Sequence, residues 1–130
     1  MAAMTDYLEL KLLDHITGVA SYTAPSAVYL GLAVGDFTDT GTGQAELSGG
    51  GYARTQVTFG SAAASGQITN SAAIEFPEAT TSLGTVSHWG LFDAATGGHM
   101  LLNGAFDSPK LIEAQDILRI SAGSLTLTAA

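Results

Sequence analysis

The clearest pattern of apolar and polar positions covers residues 85–106, where two apolar runs flank a polar, glycine-bearing turn. Branched and aromatic side chains fit the pleated surface of a strand, and Gly97 and Gly98 can adopt the positive φ that a tight reversal needs. The segment is therefore predicted to form a β-hairpin. Its large aromatic residues, Trp89 and Phe92, are expected to pack in a core.

The N-terminal segment has the pattern of a helix over about residues 6–17. Thr5 is placed to cap this helix, and Gly18 stands where a left-handed stop is expected. An apolar stripe with a four-residue spacing predicts an amphipathic helix that docks on another surface. The stripe residues that we take as candidate interface residues are Leu8, Leu12 and Ile16.

From Pro25 onward, runs rich in branched and aromatic residues alternate with short clusters of Gly, Asn, Asp or Ser. This spacing is typical of all-β sandwiches and barrels. We predict one domain over residues 1–130: a mainly β, antiparallel β-sandwich or jelly-roll-like fold from about residue 26, preceded by one amphipathic α-helix. The expected strands cover residues 27–34, 52–59, 68–76, 85–92, 99–106, 109–113 and 116–128, the last broken near Gly123.

Residues 35–51 form a glycine-rich connection that is longer than most loops between strands. It is a candidate interaction arm, with Asp36, Phe37 and Asp39 as candidate interface residues. Its acids, together with Glu46, offer oxygen ligands to a hard cation such as calcium. Their spacing does not match an EF-hand and fits ordinary turn chemistry, so no metal and no other cofactor is predicted.

The end of this connection, Gly49, Gly50, Gly51, Tyr52 and then Arg54, combines glycines with a cation. It lacks the Gly-Lys-Ser/Thr ending of a phosphate-binding loop, and a strand pattern follows where such a loop would open a helix. The motif is therefore interpreted as structural. We expect the glycines to shape the entry to the strand, Tyr52 to pack at its start and Arg54 to pair with an acid.

The composition is 46% hydrophobic and only 12% charged, and a net charge of -8 opposes binding to nucleic acid. The N-terminus lacks the pattern of a secretory signal, and no apolar stretch reaches the roughly 18 residues of a membrane span. Synthesis in a cytoplasm without a membrane partner is therefore expected. Small side chains and few charges suit a protein that packs against neighbours.

Catalysis is not predicted. The histidines His15, His88 and His99 are not accompanied by a Gly-x-Ser-x-Gly nucleophile motif. We expect His88 and His99 to satisfy hydrogen bonds at a sheet edge. Glu75 and Glu78 are assigned to the solvated surface, because a glycosidase pair must face across a cleft.

Four motifs extend over most of the chain: SGGGYAR at 48–54, IEFPEAT at 74–80, WGLFDAATGG at 89–98 and SAGSLTL at 121–127. In these motifs the chain resembles a family of small tailed-bacteriophage virion structural proteins. Members are often labelled tail fibre protein, and similar small β proteins serve as capsid cement or decoration proteins. The resemblance implies a β-sandwich subunit present in many copies on a virion, without catalytic residues to carry over.

The short chain has no repetitive stalk, which favours a capsid cement protein that binds the outer surface of the head and stabilises contacts between capsomers. The expected partners are the major capsid protein, or tail proteins, and sister copies in a homo-oligomer such as a trimer. One alternative is a tail-tip or tail-fibre-associated subunit that contacts the host surface. A second is a carbohydrate-binding module with Trp89 or Tyr52 as a stacking platform.

Overall fold

The computed structural model describes residues 2–35, 37, 46–61 and 66–128. Over these residues the fold is mainly β with one helix, as predicted. In chain order, the elements are β1 (Ala2–Met4), α1 (Asp6–Ile16), β2 (Val28–Ala33), β3 (Thr55–Val57), β4 (Gln67–Thr69), β5 (Ile74–Glu75), β6 (Gly84–Phe92), β7 (Met100–Ile112), β8 (Arg119–Ile120) and β9 (Thr126–Thr128). Within these described segments, no helix has the length and hydropathy needed to cross a bilayer.

The strands form one five-stranded sheet, in the order β1-β7-β6-β2-β3, and two ladders, β4-β9 and β5-β8. All of these pairs are antiparallel. The main core lies where the ladders cover one face of the large sheet, so apolar side chains of both layers exclude water together. Core residues from the large sheet and from the covering layer include Leu30, Leu32, Val86, Trp89, Leu91, Ile74, Ile120, Leu125 and Leu127.

Strands β6 and β7 form the predicted hairpin. Their connection, residues 93–99, contains Gly97 and Gly98 at φ values of 62° and 68°. The N–H of Asp93 donates to the carbonyl of His99 at 3.1 Å, and the N–H of His99 donates to Asp93 Oδ1 at 2.7 Å. The turn is thus wider than a two-residue hairpin turn and is closed by an aspartate side chain.

The sequence predicts two strands in the region that forms the single strand β7. The register between β6 and β7 shifts here, because Val86 pairs with Lys110 while His88 pairs with Ala105. Pro109 falls in the stretch of β7 between these pairs. A proline is tolerated at such an irregularity because its missing N–H removes no ladder bond, so the strand continues through it.

The predicted strand over residues 68–76 is divided into β4 and β5 by the buried Asn70. The Nδ2 of Asn70 donates to the carbonyls of Ala72 and Ser121 at 2.8 and 3.0 Å, and its Oδ1 accepts the N–H of Leu125 at 2.9 Å. Satisfying this buried amide requires a local break in the strand. Asn70 therefore links the end of β4 to the C-terminal segment that contains β8 and β9.

Helix α1 and its cap agree with the prediction. Thr5 Oγ1 accepts the N–H of Leu8 at 3.4 Å and donates to the carbonyl of Met100 at 2.7 Å. The N–H of Thr5 donates to the carbonyl of Leu101 at 2.9 Å. These bonds satisfy helix-terminal groups and attach the first turn of α1 to the beginning of β7.

Candidate interaction surfaces

A closely bonded polar cluster joins Glu46, Tyr52 and Arg54. Arg54 Nε and Nη2 donate to the two carboxylate oxygens of Glu46, each at 2.9 Å. The Tyr52 hydroxyl donates to Glu46 Oε2 at 2.6 Å and accepts the N–H of Leu32 at 3.0 Å. The side chains of Arg54 and Glu46 are only 11% and 19% exposed, so this bidentate pair is shielded from water.

Arg54 also holds the β6-β7 turn. Its Nη1 donates to the carbonyls of Ala94 and Gly97 at 3.0 and 2.8 Å. The guanidinium carbon lies 3.5 Å from the centre of the Phe92 ring, which is a cation–π geometry. We call the unit of Glu46, Tyr52, Arg54 and Phe92 the Arg54 clamp. The prediction that Arg54 pairs with an acid and that Tyr52 packs at the strand entry is confirmed.

The sequence offers the Glu46 carboxylate as a possible cation ligand, but in the structure this carboxylate is bound within the clamp. Both of its oxygens accept hydrogen bonds from Arg54 or Tyr52. Asp36 and Asp39, the acids predicted to act with it or to contact a partner, lie outside the described residues. Among the residues that are described, no group of three His, Asp or Glu side chains is arranged to hold a metal.

The clamp also perturbs a titratable group. Burial raises the pKa of the Tyr52 phenol far above its ordinary value, and the hydrogen bond to Glu46 raises this pKa further. The backbone N–H of Leu32 and the charge of Arg54 lower it by less. Tyr52 therefore stays protonated and donates to Glu46 across the ordinary pH range.

Two glycines make room for the clamp. Gly31 of β2 pairs with Gly90 of β6. A Cβ on Gly31 would lie 2.9 Å from both Glu46 Oε2 and Phe92 Cε1, and one on Gly90 would lie 3.0 Å from Phe92 Cε1. The Phe92 ring thus packs against the facing residues Gly31 and Gly90, which have no side chains. The predicted features do not include this glycine pair, although glycine inside a strand pattern signals a close approach.

The predicted glycine entry to the strand is also present. Gly49, Gly50 and Gly51 all have positive φ, and the N–H of Tyr52 donates to the carbonyl of Gly49 at 2.9 Å. A Cβ on Gly51 would lie 2.9 Å from the carbonyl oxygen of Glu78. The three glycines therefore place Tyr52 in the clamp.

The predicted interface residues divide between the interior and the surface. Leu8 is buried and Leu12 is half-buried, whereas Ile16 is 73% exposed. Phe37 is buried and meets the Phe92 ring edge-on, with centroids 6.0 Å apart. Because the helix is tethered at its first turn, the beginning of the stripe faces its own sheet. Burial removes Leu8 and Phe37 from any surface that a partner can reach.

A different part of α1 is apolar and faces solvent. Leu10 and Leu13 are 65% and 55% exposed and, with Ile16, follow each other at three-residue intervals. We call these three residues the outward helix face. Asp6 and Glu9 precede Leu10 and Leu13 by four residues, so both acids lie on the same side of the helix. The outward helix face is therefore a candidate interaction surface.

A groove of about 690 Å³ runs between the irregular stretch of β7 and the segment that contains β8 and β9. Its lining combines apolar side chains with two cations. Arg119 Nε lies 3.8 Å from Glu75 Oε2, and both side chains are 61% exposed. We call this groove the β7 groove. Its lining includes Trp89, Phe106, Lys110, Arg119, Ile120 and Leu125.

The histidines differ in part from expectation. His88 lies in β6, which has neighbours on both sides, so its prediction as a sheet-edge residue is wrong. Its Nδ1 lies 2.7 Å from Ser87 Oγ. His99 stacks on Tyr7 with centroids 3.9 Å apart, and His15 Nδ1 accepts a backbone N–H at 3.1 Å. These contacts orient the three rings within the chain.

The aromatic residues considered as sugar platforms are engaged internally. Trp89 is 4% exposed and belongs to the main core. Tyr52 is half-buried, its hydroxyl is in the clamp, and its ring lies 6.5 Å from that of Phe76. A stacking platform needs an open ring face, so the structure supports the core interpretation of Trp89. Glu75 and Glu78 are both exposed, as predicted.

A comparison with curated proteins found no match. The family model described as "Podophage GP4 fiber I protein gp80" matches residues 3–128. This match extends from β1 through α1 and the large sheet to β9. It confirms the resemblance to phage virion proteins and places the chain among virion structural components. The chain belongs to the podophage GP4 fiber I protein gp80 family.

Proposed function

We propose that this chain is a structural subunit of a phage fibre and that it assembles through the outward helix face. The observation that carries the proposal is the exposure of Leu10, Leu13 and Ile16 on a helix whose first turn is fixed to the sheet. When a partner covers apolar side chains of this size, their removal from water stabilises the assembly. The fibre named in the family description supports the location.

The rest of the chain serves as the rigid support of that face. The Arg54 clamp and the main core bind distant segments of the sequence together, which suits a subunit that transmits force. We expect a protein partner and no nucleic acid, because a net charge of -8 disfavours a phosphate backbone. The proposal includes no catalytic step, and hydrolytic activity that disappears in His88→Ala or His99→Ala would contradict this part.

Phage particles carrying Leu13→Asp test the assembly role. We expect the purified particles to lose most of this subunit, because the substitution removes an apolar side chain from the interface and adds a charge that must lose its water there. Val34→Asp is the matched control, since Val34 is also exposed but directly follows β2 and is not on the helix. Equal incorporation of both variants would contradict the proposal.

The capsid cement role predicted from the sequence is the second candidate. It is favoured by the absence of an internal repeat in the 130 residues, because a long fibre stalk is usually repetitive. Antibody labelling of intact particles separates the two roles. Label on the fibres supports the first proposal, and label spread over the head supports cement.

A further inference from the structure

We infer that the outward helix face of one copy binds in the β7 groove of a second copy, so that subunits join head to tail. The inference rests on the assembly role proposed above and names the partner of the helix. It is carried by the positions of the two surfaces, by their apolar residues and by their charges.

The two surfaces lie toward opposite ends of β7. Helix α1 is attached at the beginning of this strand, where Thr5 bonds to Met100 and Leu101. The groove is lined by β7 residues from Ala105 to Lys110. In the head-to-tail arrangement that we infer, each contact leaves one free helix and one free groove, so the assembly grows until it closes as a ring or continues as a filament.

The accessible apolar part of the groove lining comes from β7, where Ala105 is exposed and Phe106 is half-buried. The other apolar lining residues, Trp89, Ile120 and Leu125, belong to the buried main core. The outward helix face presents three aliphatic side chains along one side of a regular helix. A helix laid in a groove with such anchors is a recurrent mode of recognition.

Charge complementarity makes a second copy the favoured occupant. The chain has only four Lys and Arg residues and a net charge of -8, so two copies repel each other at a distance. Arg54 is committed to the clamp, whereas Lys110 and Arg119 both line the groove. The acids beside the outward helix face are Asp6 and Glu9. Two carboxylates therefore approach the place where two cations are gathered.

Two other charges share this region. Asp107 also lines the groove, which leaves two cations against one acid in its lining. Glu75 is 3.8 Å from Arg119, but both side chains are 61% exposed, and such pairs are weak and exchange readily. Arg119 can therefore turn to an incoming carboxylate at little cost.

The inference is tested with the purified chain by light scattering after size-exclusion chromatography, over a series of concentrations. Wild type is expected to form assemblies that grow with concentration. Leu13→Asp, which disables the helix, should weaken self-association by at least about tenfold. The double variant Lys110→Glu/Arg119→Glu, which disables the groove, should do the same. Val34→Asp should behave as wild type.

Mixing the two disabled variants gives the sharpest result. The groove of Leu13→Asp and the helix of Lys110→Glu/Arg119→Glu are both intact, so the mixture should form a one-to-one heterodimer and nothing larger. Because each variant must contribute a working surface, this outcome also shows that both are folded. A monomeric wild type, a groove variant that still self-associates, or a mixture without heterodimer would each overturn the inference.

This experiment separates the inference from the proposed function. Head-to-tail association in solution together with absence of the subunit from fibres would support the inference and contradict the fibre role. Incorporation into fibres by a chain whose groove variant self-associates normally would support the fibre role and overturn the inference.

Discussion

The guanidinium of Arg54 lies 3.5 Å from the centre of the Phe92 ring. Its Nε and Nη2 atoms form a bidentate pair with the carboxylate of Glu46. This stack connects the end of the long connection to the large sheet and to the β6-β7 turn. The Arg54 cation has little contact with water, so its stability in the fold depends on both the Phe92 ring and the Glu46 carboxylate. The clamp is therefore expected to be sensitive to small changes.

Glu46→Gln should lower the free energy of unfolding by about 3 kcal/mol, because it leaves the shielded Arg54 charge without its counter-ion. The change keeps the shape of the side chain and removes its charge. Glu75→Gln is the matched control: it removes the exposed pair with Arg119 and should cost no more than about 0.5 kcal/mol. Urea denaturation of both variants measures the difference. Equal losses would show that the clamp does not stabilise the fold.

The raised pKa of Tyr52 predicts that the fold loses stability at alkaline pH. Its pKa is raised in the folded chain, so above about pH 10 the unfolded chain releases this proton while the folded chain keeps it. The stabilisation is complete below the unfolded pKa and is lost as the pH rises toward the folded pKa. The free energy of unfolding should therefore fall more steeply above pH 10 in wild type than in Tyr52→Phe, as measured by urea denaturation at stepped pH. Parallel curves would contradict the described environment.

Gly31→Ala should destabilise the fold by about 1–3 kcal/mol, because the new Cβ meets both Glu46 and Phe92 inside the clamp. Gly60→Ala is the control. No heavy atom lies within 4 Å of the place that a Cβ on Gly60 would occupy, and its φ is not positive, so the substitution should be close to neutral. Thermal unfolding followed by circular dichroism compares the two. A tolerated Gly31→Ala would mean that the Phe92 ring is not fixed over the strand pair.

Asn70→Ala should cost about 3 kcal/mol, since it leaves the N–H of Leu125 and two carbonyl groups without their partner. Ser71→Ala is the adjacent control, because Ser71 is exposed and its hydroxyl contacts that of Thr58 at the surface. Hydrogen exchange adds a local readout. Amide protection in β8 and β9 should decrease in Asn70→Ala and remain in Ser71→Ala; unchanged protection would contradict the fastening role of Asn70.

The sequence predicts those parts of the fold that are encoded locally. The Thr5 cap with its apolar spacing fixes α1, and the runs around Gly97 and Gly98 fix the hairpin. Trp89 and Phe92 are in the interior because large aromatic residues in a strand pattern are rarely left in water. These features depend on neighbours within a few residues.

The parts that the sequence did not predict depend on contacts between distant segments. Nothing near Asn70 indicates that it binds Ser121, and nothing near Gly31 indicates that it faces Gly90. The orientation of the helix is likewise not predicted by its local sequence. Its apolar stripe is wider than the surface that covers it, so periodicity alone could not decide that Leu8 faces inward and Leu13 faces out.

The copy number of the chain in purified phage particles tests the central claim most directly. Quantitative mass spectrometry with labelled peptide standards gives the ratio of this chain to the major capsid protein. A structural subunit of a fibre should be present at least an order of magnitude below the capsid protein. A ratio near one, or absence of the chain from the particle, would contradict the account.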